Sequence, residues 1–171
     1  MRINGDTVLA APIEDVWALV TDPARVLSFM SGVTRWEVAG DLPAGLGARY
    51  RLLFRVGAAE VGGLVEVVEF DAPCDLAWAS VTGLDHRGRW RLREAPGGRT
   101  RVELRASYVV AGAGLSGWLA ERVAAPTVRG NVRGTLQQLS RLVEHEQLRA
   151  AAARRRAAAA RSCSCSTSRP S

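Results

Sequence analysis

His86 is the side chain best suited to proton chemistry, because it is one of two histidines in the chain and the only one among residues 1–144. An imidazole titrates near neutral pH, so it can move a proton or hydrogen-bond a carbonyl group. Alternation of polar and apolar residues predicts that His86 faces inward between Thr82 and Tyr108, near one end of a sheet. We favour a histidine whose hydrogen bonds are satisfied by Thr82 or a backbone carbonyl. The alternative is proton transfer by His86 or Tyr108.

A second group of side chains could stack on a flat apolar molecule. Each lies at an inward position of a predicted strand, and the group comprises Trp36, Tyr50, Phe54, Trp78 and Trp90. Trp78 is expected opposite Trp90, which would occupy one face of the Trp78 indole and leave the other free. A stacking wall and simple filling of the core are equally supported. In the first case Ser80 and Tyr50 would be the polar anchors.

Glu66 is a candidate general base only if its strand is regular. Strict alternation back from Leu76 places its carboxylate inside, opposite Ser80. A bulge at Val67 and Val68 would turn it outward instead, and glycines nearby make such an irregularity common. The outward orientation is favoured, because an unpaired buried carboxylate is costly.

Other catalytic and metal-binding patterns are weak. Residues 112–117 (GAGLSG) match a dinucleotide-binding Gly-x-Gly-x-x-Gly. No parallel strand follows their helix, so these glycines are interpreted as a hinge. Glu144, His145 and Glu146 are consecutive and cannot share one helix face, and the tail pair Cys163 and Cys165 stands alone. No metal and no cofactor is predicted.

The elements that must position these side chains follow from periodicity and turn signals. The sequence predicts a strand over 2–10, a helix that begins at Pro12, a second short helix from Asp22 through about Met30, six antiparallel strands between Val33 and Val110, and a long helix through Val143. Pro126 is expected to kink that last helix or to restart it.

The inward face of the sheet is defined by a row of arginines. Arg87, Arg89, Arg91 and Arg93 alternate with His86, Gly88, Trp90 and Leu92, so the even positions face inward. The turn at 96–98 then predicts His86 opposite Tyr108, Gly88 opposite Ala106 and Trp90 opposite Leu104. The same step across 83–85 predicts Thr82 opposite His86, Ser80 opposite Gly88, Trp78 opposite Trp90 and Leu76 opposite Leu92.

The arginine row is interpreted as a solvated outer face, and the alternative is contact with an anionic partner. Glu103 is expected opposite Arg91, where it compensates one charge. Arg89 is expected opposite Arg105, and this like-charged pair needs solvent or a carboxylate between its members.

The C-terminal helix is the only long amphipathic element available to cover the apolar face of the sheet. Val132 and Leu136 are among the residues of its apolar stripe and are expected to line the interior. Gly130 and Gly134 lower helix propensity, so they indicate a close backbone approach or an unfilled volume. An incompletely filled interior is therefore expected.

Composition limits the class of protein. The chain has 171 residues, 47% of them apolar, enough for one core. Arginines balance the carboxylates within residues 1–146, so the net charge of +6 arises beyond them. We predict a single domain over 1–146, followed by an Ala/Arg-rich helical extension and disordered tail over 147–171, and no nucleic-acid partner. No apolar run predicts a membrane span or signal peptide, so a cytoplasmic location is expected.

Four stretches resemble the START-like superfamily, also called SRPBCC, and its polyketide cyclase/dehydrase members. They are APIEDVW at 11–17, TDP at 21–23, GLDHRGRW at 83–90 and GGRTRV at 97–102. The resemblance covers about residues 1–146, and residues 1–26 are also similar to the carbon monoxide dehydrogenase branch of that superfamily. It implies a helix-grip fold of the α+β class: a seven-stranded antiparallel sheet curved around a long C-terminal helix, with two short helices between the first two strands.

The resemblance also implies a cavity for a small hydrophobic molecule, aromatic or polyketide-like. The residues expected to line it are Trp36, Tyr50, Phe54, Trp78, Trp90, Leu104, Tyr108, Val132 and Leu136, with Ser80, Thr82 and His86 orienting the ligand. One alternative is a polyketide cyclase/dehydratase that positions its chain and transfers protons through His86 or Tyr108. Another is a non-enzymatic adaptor of the carbon monoxide dehydrogenase type, whose arginine-rich tail contacts a membrane surface or an acidic partner.

Overall fold

The predicted helix-grip fold is confirmed. A computed structural model describes residues 2–56, 58–109 and 115–164, with the side chains of all these except residues 56, 59, 109, 115–125 and 159–164. The elements are β1 (Arg2–Leu9), α1 (Ile13–Thr21), α2 (Val26–Phe29), β2 (Val33–Val38), β3 (Arg49–Val56), β4 (Ala59–Asp71), β5 (Asp75–Gly83), β6 (Asp85–Ala95), β7 (Arg99–Val109) and α3 (Leu115–Ser164). In this part of the chain the strands form one antiparallel sheet in the order β1-β7-β6-β5-β4-β3-β2.

The two short helices pack against one end of the sheet. Helix α1 starts after Pro12, whose carbonyl accepts the backbone N–H of Val16 at 3.2 Å. Asp22 does not begin the second helix, contrary to the prediction. Its side chain accepts the N–H of Ala24 at 3.0 Å and forms a turn, so α2 begins only at Val26. An Asx turn and a helix N-cap use the same side-chain acceptor, and the sequence alone does not separate them.

The β6–β7 hairpin has the predicted register. His86 pairs with Tyr108, Gly88 with Ala106 and Trp90 with Leu104. The turn places Gly97 and Gly98 at φ values of 81° and 65°, a left-handed conformation that glycine adopts without steric cost. The charge alternation of both strands sets which face is solvated, and the three-residue turn at 96–98 then selects this register.

The predicted β5–β6 register is wrong by two residues. Trp78 pairs with Gly88 and Leu76 with Trp90, and the ladder stops at Ala79 and Arg87. Thr82 therefore does not lie opposite His86, nor Ser80 opposite Gly88, nor Trp78 opposite Trp90, nor Leu76 opposite Leu92. The end of β5 pairs only with β4, and the Ser80 Oγ accepts the His86 N–H at 3.1 Å in place of a backbone acceptor. A two-residue shift keeps Leu76 and Trp78 on their predicted inner face. Thr82 lies beyond the irregularity between Leu64 and Val65 and is exposed, contrary to the prediction that it faces inward.

Glu66 lies outward, as favoured from the sequence. The β4–β5 pairing shifts between Val67 and Glu69, which is the predicted bulge, and Val68 is exposed. The Glu66 Oε2 accepts a hydrogen bond from the Arg49 Nε at 2.7 Å. Glu66 is therefore an outer-face partner of Arg49 and takes no part in the interior.

Ion pairs on the outer face form what we call the outer lattice. In it Glu69 and Asp75 bind Arg89, Arg91 and Arg93, and Glu103 binds Arg105 as a separate pair. Arg89 lies opposite Arg105, as predicted, and carboxylates bind each of them. Glu103 lies opposite Arg91, but its ion pair is with Arg105 at 2.7 Å. Among the described side chains, both members of the like-charged pair Arg89 and Arg105 thus have a carboxylate partner, as predicted.

Helix α3 crosses the inner face and continues through Pro126 without a restart. Val132 and Leu136 are buried, and a Cβ on Gly5 of β1 would lie 2.9 Å from Leu136 Cδ1. Gly134 makes the predicted close approach, since a Cβ there would lie 2.6 Å from the Ser31 Oγ, whereas Gly130 faces open space. Residues 112–114 of the predicted hinge and residues 165–171 of the tail lie outside the described residues.

The end of α3 leaves the body of the protein. Arg25 forms an ion pair with Glu146, and the next residue, Gln147, donates a hydrogen bond to Asp15 at 3.3 Å. Residues 148–158 are exposed throughout. Among the described residues no helix is long and apolar enough to cross a membrane.

Candidate functional site

Five rings from four strands form a continuous aromatic cluster on the inner face of the sheet. Its members, in order of contact, are Tyr50, Trp36, Trp78, His86 and Phe54. Trp36 stacks on Tyr50 with a centroid distance of 4.9 Å, and the Trp78 ring meets the edge of Trp36 at 6.2 Å. His86 lies 6.1 Å from Trp78 and 4.9 Å from Phe54. The sheet thus brings together five of the predicted site residues.

Gly88 creates the space that the cluster needs. A Cβ at Gly88 would lie 2.0 Å from Trp78 Cζ2, so the Trp78 indole occupies the volume that any other residue would fill. Gly88 is the one inward position of the β6 arginine row without a side chain. The neighbouring inward side chains of β6 are large, so a bulky residue of β5 fits best opposite Gly88. This is the sequence signal that could have given the correct β5–β6 register.

Three ring nitrogens of the cluster are buried without a hydrogen-bond partner in the described part of the protein: Trp36 Nε1, Trp78 Nε1 and His86 Nδ1. The large majority of buried side-chain polar atoms have such a partner. Leaving one unsatisfied costs about 1–3 kcal/mol. Three such atoms lie in one contiguous cluster.

His86 is neutral at physiological pH. It is 7% exposed, and burial lowers the pKa of its imidazole from 6.5 to about 4, while the charge of Asp85 acts weakly in the opposite direction. The expected hydrogen bond to Thr82 does not form, because Thr82 is exposed and pairs with Leu64 of β4. One ring nitrogen of a neutral imidazole accepts and the other donates, so His86 can serve either type of polar group.

The two predicted polar anchors already have partners. Ser80 Oγ accepts the backbone N–H of His86 and approaches Asp85 Oδ1 at 3.5 Å. The Tyr50 hydroxyl donates to the backbone carbonyl of Pro43 at 2.9 Å, and burial raises the pKa of this phenol. Tyr50 therefore ties the loop between β2 and β3 to the cluster and contributes its ring rather than its hydroxyl.

The remaining predicted residues divide between core and site. Trp90 is 1% exposed and packs edge-on against Phe29 at 6.3 Å, with Leu104 opposite it. This indole fills the core and is not part of the cluster. Tyr108 is buried opposite His86 on β7, so these two proton-carrying side chains lie side by side.

A small cavity lies beside the cluster. It has a volume of about 20 Å³ and is lined by residues that include Trp36, Tyr50, Trp78 and Val67. That is room for about one water molecule. The described side chains form the sheet side of the site, and α3 begins at Leu115, only a few residues after Tyr108. Among the described residues no group of three potential metal ligands comes together.

Comparisons with solved structures show the same fold. TTHA0849 from Thermus thermophilus is 23% identical, with a TM-score of 0.74, and the match covers 85% of this chain and 99% of that one. The Zhui aromatase/cyclase from Streptomyces sp. R1128 is 19% identical, with a TM-score of 0.71, over 84% of this chain and 93% of that one. At these identities the likeness is one of fold alone. Among curated proteins, none matches this chain.

A family model gives the closer assignment. The model described as "Polyketide cyclase / dehydrase and lipid transport" matches residues 2–144. This range includes every strand, both short helices and the part of α3 that covers the sheet. It also includes the whole aromatic cluster. The chain therefore belongs to the polyketide cyclase/dehydrase and lipid transport family.

Proposed function

We propose that this protein binds a small hydrophobic molecule, aromatic or polyketide-like, against the aromatic cluster. The observation that carries this proposal is the set of three unpartnered ring nitrogens on Trp36, Trp78 and His86. Two of them are indole N–H donors, which call for acceptor oxygens on the ligand. The flat rings around them favour a ligand that offers a planar apolar framework.

These features define a ligand chemistry. A planar molecule with carbonyl or hydroxyl groups along one edge could accept hydrogen bonds from both indoles, while the neutral imidazole of His86 accepts or donates a third. The outer lattice lies on the opposite face of the sheet and would not contact such a ligand. We therefore propose an oxygenated aromatic or polyketide-like ligand and not a simple alkyl chain.

Polyketide cyclisation is the second candidate function. The observation that favours it is the pairing of His86 with Tyr108, which sets two proton-carrying groups side by side. A neutral imidazole whose pKa is about 4 is a weak base at physiological pH, since general bases work best with a pKa near the working pH. In this case most of the rate acceleration would come from holding the chain in a folded geometry.

Titration with a hydroxylated anthraquinone, followed by tryptophan fluorescence, tests the binding proposal. Trp36→Phe and Trp78→Phe keep an aromatic ring but remove an N–H donor, so each should weaken binding about tenfold. Trp17→Phe is the matched control, because Trp17 packs on Phe70 outside the cluster, and it should bind as the parent does. Parental affinity in both cluster variants would exclude this site.

Turnover of a linear poly-β-ketone thioester tests the enzymatic candidate. Formation of a cyclic product by the parent, with a loss of kcat in His86→Phe or Tyr108→Phe while anthraquinone binding persists, would support cyclisation. Product formed by both variants at the parental rate would exclude proton transfer by these residues. Native mass spectrometry of protein from its own source would show which small molecule it carries.

A further inference from the structure

A second concave surface, which we call the β1 groove, lies between β1 and α3. Its volume is about 400 Å³, and it is lined by residues 2–6 of β1 and by Arg129, Val132, Arg133 and Leu136 of α3. Val132 and Leu136 are buried and form an apolar floor, whereas Arg129 and Arg133 lie on the outside of the helix. The β1 groove shares no lining residue with the cavity beside the aromatic cluster.

The strand side of the β1 groove is a free sheet edge. Strand β1 pairs with β7, and no described strand pairs with its other side. Side chains alternate between the two faces of a strand, so a groove bordered by the consecutive residues 2–6 runs along the backbone edge. The N–H and C=O groups at such an edge can pair with another extended segment.

The rim of the β1 groove carries uncompensated positive charge. In the described part of the protein, Arg2, Arg129 and Arg133 have no ion pair, unlike the arginines of the outer lattice. Asp6 also lines the β1 groove, but its carboxylate binds Arg101 at 2.8 Å. Three arginines thus face a concave surface without a carboxylate among the described residues to balance them.

We propose that the β1 groove is a docking site for an extended acidic segment of a partner protein. The segment adds a strand to the edge of β1 and places carboxylates against Arg2, Arg129 and Arg133. Its apolar side chains lie on Val132 and Leu136. Main-chain pairing supplies affinity in this mode of recognition, and the side-chain contacts supply specificity.

The geometry favours this occupant over other anions. A small organic anion would use the arginines but leave the row of backbone groups on β1 unpaired. A flat membrane surface would reach the arginines but not the apolar floor. A second copy that paired through the same edge would set its own Arg2, Arg129 and Arg133 against these three arginines. Only an acidic strand satisfies the edge, the rim and the floor together.

Fluorescence anisotropy with short labelled peptides tests the proposal. The probe alternates glutamate with valine, and the comparison probes replace either every glutamate by lysine or the central valines by proline. The glutamate peptide should bind, whereas the lysine peptide should not. The proline peptide should bind at least about tenfold more weakly, because proline lacks the N–H that strand pairing requires.

Charge reversal in the protein provides the second arm. The double variant Arg129→Glu, Arg133→Glu should weaken binding of the glutamate peptide about tenfold or more. The double variant Arg51→Glu, Arg87→Glu makes the same change in net charge at two exposed positions elsewhere on the sheet and should bind nearly as the parent does. Both arginines of the β1 groove are exposed, so their replacement leaves the core unchanged.

Three results would overturn the proposal. Equal weakening in both double variants would show general attraction to a basic protein. Equal binding of the proline peptide would exclude strand addition. Binding of dodecanoate that depends on Arg129 and Arg133, without binding of the glutamate peptide, would assign the β1 groove to a small amphiphilic anion. None of these results affects the anthraquinone titration, so failure here leaves the proposed function standing.

Discussion

The indole of Trp78 lies directly over Gly88, where a Cβ would come within 2.0 Å of Cζ2. This contact fixes the register of β5 against β6 and holds Trp78 next to His86. A single methyl group added at Gly88 would therefore displace the Trp78 indole. The Trp78 ring cannot retreat far, because Trp36 and His86 contact it on other sides.

Gly88→Ala should lower the free energy of unfolding by about 2–3 kcal/mol, since the new methyl displaces Trp78 in a packed interior. Urea denaturation measures this, and near-ultraviolet circular dichroism should report the altered indole. Gly130→Ala is the control: a Cβ there meets no described atom within 4 Å, and it should stabilise α3 by up to about 1 kcal/mol. Parental stability of Gly88→Ala would contradict the assigned packing.

His86 should make the protein acid-sensitive above the range where carboxylates titrate. Its pKa falls from 6.5 to about 4 on folding, so between these pH values the unfolded chain binds more protons than the folded one. Stability therefore decreases as the pH falls through this window, by about 3 kcal/mol in total. Urea unfolding from pH 7 to pH 4 tests this expectation.

The matched variants for that experiment are His86→Phe and His145→Gln. The first removes the buried imidazole and should flatten the pH dependence between pH 6.5 and 4. The second changes an exposed residue of α3 and should leave the dependence unchanged. The same slope in His86→Phe as in the parent would show that His86 is not buried in its neutral form.

Asp75 should contribute more to the free energy of unfolding than any other carboxylate of the outer lattice. It is buried and binds Arg91 at 3.0 Å and Arg93 at 2.6 Å. Burial alone would raise the pKa of its carboxyl, but hydrogen bonds from Arg93 and Arg91 outweigh burial and hold the pKa below 3.8. Its stabilising effect is thus present above pH 3.8 and is lost as the pH falls through the lowered value.

Asp75→Asn should accordingly cost about 2 kcal/mol of stability at neutral pH. Glu37→Gln removes an exposed carboxylate 3.8 Å from Arg35, so it should cost well under about 1 kcal/mol. Thermal or urea unfolding of the two variants side by side is the measurement. Similar losses of stability in both variants would show that the ion pairs of Asp75 are no stronger than the exposed pair of Glu37 and Arg35.

Removal of residues 148–171 should leave the domain intact. Helix α3 contacts Arg25, just before α2, through Glu146, and it contacts Asp15 of α1 through Gln147. Residues 148–158 are exposed. We expect the free energy of unfolding to change by less than about 0.5 kcal/mol, with anthraquinone affinity retained. Loss of binding to phosphatidylserine vesicles on truncation would support the adaptor alternative, and a large loss of stability would show that the extension belongs to the domain.

The sequence predicts which side chains face inward better than which side chains meet. Arg87, Arg89 and Arg91 define the faces of β6, because charge on alternate residues permits only one orientation. The predicted partner of Trp78 is wrong because the β5–β6 backbone pairing does not continue to the turn at 83–85. Next to that turn the Ser80 hydroxyl, and not a backbone carbonyl, accepts the His86 N–H. Parity survives a two-residue shift, so Leu76 and Trp78 face inward as predicted although the Trp78–Trp90 pairing is wrong. Thr82 is exposed because the β4–β5 pairing is irregular between Leu64 and Val65.

Features that depend on three-dimensional packing are not accessible from the pattern. Trp90 is a predicted site residue, but it packs in the core against Phe29 of α2, a long-range contact without a sequence signal. The Tyr50 hydrogen bond to Pro43 involves a backbone carbonyl in an irregular loop. Unpartnered nitrogens can be recognised only when every neighbour is known.

Strand β6 divides two tasks between alternate residues. Arg89, Arg91 and Arg93 belong to the outer lattice, while His86, Gly88 and Trp90 build the concave side. The ion pairs that join neighbouring strands thus never share a surface with the aromatic cluster. Side chains on the concave side can consequently be exchanged, in evolution or by design, while the ion pairs on the convex side stay as they are.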